Sequence, residues 1–545
     1  MKPRAAEAGR GTRLVSGFAF LSYSAAALLP LAAILVLSPS GSGSKAGEIL
    51  AALARPRSLR AVGFTLAQAA ASSLAALAIG LPGAALVARY RFPGRKALKA
   101  LSILPFSLPS VLVVLAFVLY YGRAGYLNRF LMSALGLARP PFDFLYTFWG
   151  IVLVHGFYEF PVVLQTVGEV WEGLPRDREE AARLLGARRL RAFATGILPS
   201  LLPAIAQAAS LCFLLCFFSF AVVMVFGGLV GSTLEVEVYR LSRLEADATG
   251  AASVALAETL IAMAIVTLVA FCERGAAKAS IAGKKAGGRP ELRAPRGFAA
   301  AALWAYSLFL AVFFGGPMLS LLAQALSVRS GPVGVARFGL DNFARLFSSR
   351  GSFADALLNT AVTALPAAAI AVVLGCTGAF ALRRGGAALR ASAALPLAVS
   401  GIVAALGWSL LLPRGGIALI PLVQALCVMP YVLRSVAAAL STLDRSPVEA
   451  ARTLGAGRLR AAIGVELGAA LPALLAAFAF AFSASAGDLN VPLVLGQGGF
   501  ETLPVYLFRL ASAYRFPEAC AAGVVLAALS STVFALKEGG RGKRA

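Results

Sequence analysis

Histidine is nearly missing from this chain, with one residue, His155, in 545. Schemes that pair histidine with serine, cysteine or a carboxylate therefore lack parts, and no cluster with catalytic spacing replaces them. No Gly-x-x-x-x-Gly-Lys-Ser/Thr loop occurs, so the chain does not itself cradle a nucleotide. Charge is scarce too: 14% of residues are charged against 59% hydrophobic, far outside soluble usage, which places the chain in a bilayer. The six cysteines (Cys212, Cys216, Cys272, Cys376, Cys427, Cys520) lie mostly in apolar runs, where a thiol acts as a small hydrophobe. Cys212 and Cys216 share a helical face, but no histidine or carboxylate stands near them in the chain to complete a metal site.

Acidic residues number half the basic ones, giving a net charge of +25. Such a balance can signal nucleic acid. Here the basic residues instead gather in alternate loops, as the positive-inside rule requires of a polytopic protein. Arg4, Arg10 and Arg13 precede the first apolar run, Arg89, Arg91, Arg95, Lys96 and Lys99 follow the second, and Lys537, Arg541, Lys543 and Arg544 end the chain. Both termini are thus expected in the cytoplasm. Leu14 to Ser38 is too long for a signal-peptide core and reads as an uncleaved span.

Runs long enough to span fall near 14–38, 60–88, 100–120, 148–169, 197–228 and 249–272, then near 299–326, 357–382, 392–412, 417–437, 465–495 and 518–536. Residues 273–298, rich in Gly, Lys and Arg, read as a flexible cytoplasmic linker between an N-terminal domain (1–272) and a C-terminal one (299–545). Six spans per half keep the halves parallel. The external loops are too short to form a soluble binding domain, so recognition from outside must come from another protein. Glu235 and Glu237, in one of those loops, read as solvated or partner-facing.

The stretch Leu174 to Pro203 is repeated. Arg176-Asp-Arg-Glu-Glu180-Ala-Ala-Arg-Leu-Leu-Gly186-Ala returns about 269 residues later as Arg445-Ser-Pro-Val-Glu449-Ala-Ala-Arg-Thr-Leu-Gly455-Ala. Pro161 with Pro430, and Thr233-Leu234 with Thr502-Leu503, keep the same spacing. Ser446, Pro447 and Glu449 read as a capping box, with Asp177 and Glu180 repeating it, and Gly186 and Gly455 fall where a short helix should stop. Taken alone, such glutamates only cap helices and such arginines only enforce topology. Two copies of Glu-Ala-Ala-x-x-x-Gly at one spacing point to docking instead.

At these residues the sequence resembles the membrane subunit of a binding-protein-dependent ATP-binding cassette importer. The signature of that family is Glu-Ala-Ala, three residues, Gly, nine residues, Ile, one residue, Leu-Pro. The first copy matches at Glu180, Ala181, Ala182, Gly186, Leu198 and Pro199, with Gly196 where Ile is usual; the second matches at Glu449, Ala450, Ala451, Gly455 and Leu467, with Val465 for Ile and Gly468 for Pro. The resemblance implies an all-α polytopic protein of about twelve spans, built as two parallel six-helix permease domains of the type I importer kind and fused in one chain. It implies coupling loops at 174–196 and 443–465, each inserted into an ATPase subunit. Two ATPase copies and a periplasmic or lipid-anchored substrate-binding protein would then be partners in the inner membrane, with ATP used by the partner and no cofactor bound by this chain. Arg91-Phe-Pro-Gly-Arg95, Tyr121 to Leu127, Gly487-Asp488, Gly499 to Phe508 and Ala513-Tyr-Arg515 are similar to segments of thiamine (thiamine pyrophosphate) permeases, and iron(III) permeases share part of the pattern.

Ionisable groups in a span are costly and are functional candidates. Tyr158, Glu159 and Asp488 are candidates for a substrate path suited to a cation, while His155 and Glu159 at i,i+4 also read as an interhelical polar clamp. The rival from another class is a major-facilitator carrier, since Arg91-Phe-Pro-Gly-Arg-Lys96 resembles part of its loop motif. The Asp of that motif is absent, and a carrier has no use for the doubled loop.

Overall fold

The computed structural model describes residues 10–37, 45–101, 108–174, 177–228, 230–285, 292–329, 336–348, 352–382, 393–441, 443–444 and 446–539. Twelve principal helices follow the expected runs: α1 (Arg10–Leu37), α2 (Pro56–Arg89), α3 (Ser110–Tyr121), α4 (Phe148–Glu172), α5 (Leu198–Phe217) and α6 (Ala248–Lys285), then α7 (Phe298–Leu310), α8 (Ser352–Leu382), α9 (Gly401–Leu411), α10 (Leu419–Ser441), α11 (Gly468–Ala486) and α12 (Phe516–Gly539). Nine spans are long and apolar enough to cross a bilayer unaided, among the described residues, and the bent α1 makes a tenth; Gly401–Leu411 and Phe516–Ser531 are shorter apolar helices. The one sheet among the described residues is a two-stranded hairpin, Ser327–Arg329 against Ala336–Phe338.

Local sequence explains the element ends. Pro56 opens α2, where its missing N–H is no loss. Thr147 caps α4, accepting from Gly150 N at 3.4 Å. Small residues set the helix spacing in both halves. A Cβ on Gly80 of α2 would lie 2.6 Å from Val163 Cβ of α4, and one on Gly375 of α8 would lie 2.6 Å from Val432 Cγ1 of α10. Glycine is what lets each pair of backbones approach so closely.

The halves interlock. Tyr23 of α1 donates to the Leu374 carbonyl of α8 at 2.8 Å, and Tyr306 of α7 donates to the Ile79 carbonyl of α2 at 3.1 Å. Each half thus lays its first helix across the second helix of the other. The continuation of α7 (Gly316–Ala325) also packs on α3. Phe157 of α4 stacks on Phe314 at 4.6 Å and meets Phe117 of α3 at 4.9 Å, so the densest aromatic packing sits on the seam between halves. Large apolar side chains such as Leu74 and Trp304 stay exposed on the outside of the bundle, which suits acyl chains.

Three expectations change. The run 197–228 is not one helix: α5 ends at Phe217 and a short helix, Ala221–Phe226, follows. The run 465–495 breaks in the same way, α11 ending at Ala486 before Asn490–Leu495. Asp488 therefore sits in a helix break, not inside a span. The linker expected from residue 273 begins as helix, since α6 runs on to Lys285, and Arg293 pairs with the backbone beside Tyr90.

Candidate functional site

The first motif loop folds as Asp177–Leu184 followed by Arg189–Gly196, and the second as Ser446–Thr453 followed by Arg458–Ala461. Each first helix stops on a left-handed glycine, Gly186 at φ +86° and Gly455 at φ +88°. Ala187 N donates to the Ala182 carbonyl at 3.0 Å and Ala456 N donates to the Ala451 carbonyl at 2.9 Å. This six-to-one closure satisfies the last carbonyls of each helix, as the sequence led one to expect. The capping box does not form as expected. Ser446 lies within the helix, and Asp444 Oδ1 accepts from both Ser446 N (3.1 Å) and Ser446 Oγ (2.9 Å), an Asx-type turn that takes over the capping role.

Both loops lie at the end of the bundle where the halves are joined. Glu273 of α6 pairs with Arg434 of α10 at 2.8 Å, two turns before the second loop, while Arg293 reaches Glu180 in the first loop at 3.4 Å. The first loop is further held by Arg89, which donates to Glu179 at 2.9 Å and lies over the rings of Trp171 and Phe193. Arg95 and Lys99 both pair with Glu172. Glu449 takes part in none of the ion pairs among the described residues.

Leucines on these loops are the feature that sequence reasoning missed. Leu184, Leu185, Leu190 and Leu454 are 84–89% exposed, on polar, basic loops that no lipid would cover. Exposed apolar side chains rimmed by charge mark a contact surface. The signal was present in the repeated Leu at 185 and 454, but the glutamate and arginines drew the eye.

Deeper in the bundle, the two helix breaks carry matched polar pairs. In the first half, His155 Nε2 lies 2.7 Å from Ser219 Oγ and its Nδ1 lies 3.1 Å from Ser72 Oγ. In the second half, Gln424 Nε2 donates to Asp488 Oδ2 at 3.1 Å, and Asn490 N donates to Asp488 Oδ1 at 2.9 Å. His155 thus makes the expected interhelical polar contact, reaching Ser72 of α2 and Ser219 beyond α5, without Glu159 as its partner. Glu159 Oε2 is buried with no hydrogen-bond partner among the described residues. Tyr158 donates to the Leu108 carbonyl at 2.6 Å, at the segment where Pro109 meets Gly487. Tyr158 and Asp488 are thereby brought to one seam.

The segments after the breaks are pinned alike. Thr65 Oγ1 accepts from Leu234 N at 2.9 Å, and Thr360 Oγ1 accepts from Leu503 N at 2.7 Å. These turns carry Leu234–Tyr239 back into the protein, so the reading of Glu235 and Glu237 as solvated is wrong: they are 0% and 1% exposed. Glu237 pairs with Arg57 at 2.6 Å and with Arg240 at 2.8 Å. Glu235 has no such partner among the described residues.

The sequence profile described as "Binding-protein-dependent transport system inner membrane component" matches twice, over residues 80–274 and 343–536. The chain is 29% identical to the thiamine transport system permease protein ThiP of Salmonella typhimurium, over 97% of this chain and 98% of that protein. It is 28% identical to the Escherichia coli protein of that name, over 88% of each. The sulfate transport system permease protein CysT of Salmonella typhimurium is 32% identical across 46% of this chain and 89% of its own length. A doubled profile of this kind leaves no place for a major-facilitator carrier, and the chain belongs to the family of binding-protein-dependent transport system inner membrane components, as a fused, multi-pass permease of an ATP-binding cassette importer.

Proposed function

We propose that this chain forms the translocation path of a thiamine importer and couples that path to separate ATPase subunits through its two motif loops. The full-length likeness to two thiamine permeases carries the substrate assignment; iron(III) or another small solute is the alternative that the breadth of the family leaves. Two permease domains, 1–272 and 299–545, are joined through 273–298, with both termini in the cytoplasm. An external binding protein delivers substrate, one ATPase grips Glu180, Ala181, Ala182 and Gly186, and a second grips Glu449, Ala450, Ala451 and Gly455. The exposed leucines beside those residues support this reading, because they give each ATPase an apolar contact ringed by charge. ATP closes the ATPases, draws the loops together and opens the path outward, and release resets it. A ligand biases two such states only through its differential affinity, so docking must be tighter in one of them.

Proteoliposomes holding this chain, its ATPase and its binding protein test the proposal through uptake of labelled thiamine. Uptake should require ATP, and Glu180→Lys combined with Glu449→Lys should abolish it while membrane insertion is unchanged. Uptake at the normal rate in that variant removes the loops from coupling, and import of iron(III) without thiamine replaces the substrate.

A further inference from the structure

Glu258 of α6 and Glu235 are 1% and 0% exposed, and all four of their carboxylate oxygens lack a hydrogen-bond partner among the described residues. The nearest polar groups are the Ser400 hydroxyl, which stands beside both acids, and the Ile402 backbone beside Glu235, at the start of α9 in the other half. Asp488 is within electrostatic reach of Glu235, and both act on Cys427 of α10. None of the ion pairs among the described residues involves Glu235, Glu258 or Asp488.

Carboxylates this deep and this poorly bonded are costly to ionise unless a positive charge joins them. A second feature points to what that charge is. Gln424 is 1% exposed, spends its Nε2 on Asp488 and on the Ser485 carbonyl, each at 3.1 Å, and leaves its Oε1 unpartnered. A buried acceptor next to acids calls for an N–H donor on the same guest. No group of three His, Cys, Asp or Glu among the described residues is arranged to hold a metal ion. The charge is therefore better carried on an organic framework. Gln424, Cys427 and Tyr431 fall at i, i+3 and i+7, one face of α10, and Tyr431 lies near Glu159. That face links the cluster to an acid and an aromatic ring one step further along the seam.

We propose that Glu235, Glu258 and Asp488, with Gln424, form a binding site on the seam between the halves for an organic cation that bears an N–H donor. The proposal deepens the import reading and rests on it, and it gives the path a place where a positive charge is taken from the bilayer.

The test uses the whole chain in the membrane with dicyclohexylcarbodiimide, which modifies acids held away from water, followed by peptide mass spectrometry. Modification of Glu235 or Glu258 should slow at least fivefold with thiamine or ethanolammonium present and should not change with thiochrome, an uncharged relative of thiamine. Glu235→Gln with Glu258→Gln should lower thiamine import at least tenfold while the binding protein still stimulates ATP hydrolysis. Thiamine import without protection of either acid, or unchanged import in the double variant, overturns the site and leaves the import reading in place. Protection by ethanolammonium in a chain that imports no thiamine keeps the site and overturns the substrate. Should the double variant fail to insert, the protection assay on the unaltered chain decides alone.

Discussion

The first half places His155 and Ser219 in contact where the second places Gln424 and Asp488, at the same two positions of the repeat. Around those pairs several structural contacts are kept. Thr65 and Thr360 hold the returning chain by the same bond, Gly80 and Gly375 admit the same helix approach, and Gly186 and Gly455 close the same turn. The scaffold is thus written twice and the polar chemistry once per half, so the seam is two different walls facing each other. Duplication supplies the geometry, and divergence at a few buried positions makes the two walls chemically different.

The comparison breaks most sharply if the second wall is rewritten as the first. Asp488→Ser with Gln424→His should cut thiamine import more than tenfold in proteoliposomes, with the purified protein still eluting as one species. Import that survives would show the two walls to be interchangeable. Next come the matched threonines. Thr65→Val or Thr360→Val leaves a buried backbone N–H without its acceptor, which costs about 1–3 kcal/mol. The two losses of thermal stability in detergent should be nearly equal, and a large inequality would mean that the halves are not pinned alike. Gly186→Ala and Gly455→Ala force alanine into a left-handed conformation at about 1–2 kcal/mol. Each should weaken ATPase binding by up to roughly tenfold, since about 1.4 kcal/mol is a factor of ten, as read by titration of ATPase onto immobilised permease.

The smallest effect belongs to the rim of the first half, where Arg123 donates to Asp143 at 2.7 Å. That hydrogen bond above all, with the attraction of the guanidinium, holds the exposed carboxyl below its usual value against the upward push of desolvation. A lowered value means that the pair contributes above the ordinary carboxylate range and that the contribution is lost as pH falls through the lowered value. Arg123→Ala should therefore leave the unfolding temperature almost unchanged at pH 7, with even that small difference vanishing in acid.

The duplication, the span positions and the glycine stops were legible in the sequence because they depend on local pattern and on one constant spacing. Thr65 and Thr360 were not, because they stand 295 residues apart while the motif loops stand 269 apart, so a search at one spacing passes over them. Asp488 was found but misplaced, since an apolar run does not announce the break that Gly487 and Asp488 introduce. Glu235 and Glu237 were misread because Ser232-Thr-Leu-Glu-Val-Glu-Val alternates acid with apolar residues, as a solvated loop does. Only the return of the chain beneath Thr65 buries them. Ser446 lost its capping role to Asp444 by a competition between neighbouring side chains that one-dimensional statistics do not resolve.

The tyrosines that reach across the seam have a consequence for how such a chain could arise. Tyr23 and Tyr306 each fasten an opening helix onto the opposite partner, so cohesion does not depend on the covalent tether. Severed between Lys285 and Leu292 and produced as two polypeptides, the pieces would still clasp each other. Gene fusion then secures one-to-one stoichiometry and excludes mispairing of identical pieces, leaving adhesion to the mutual embrace.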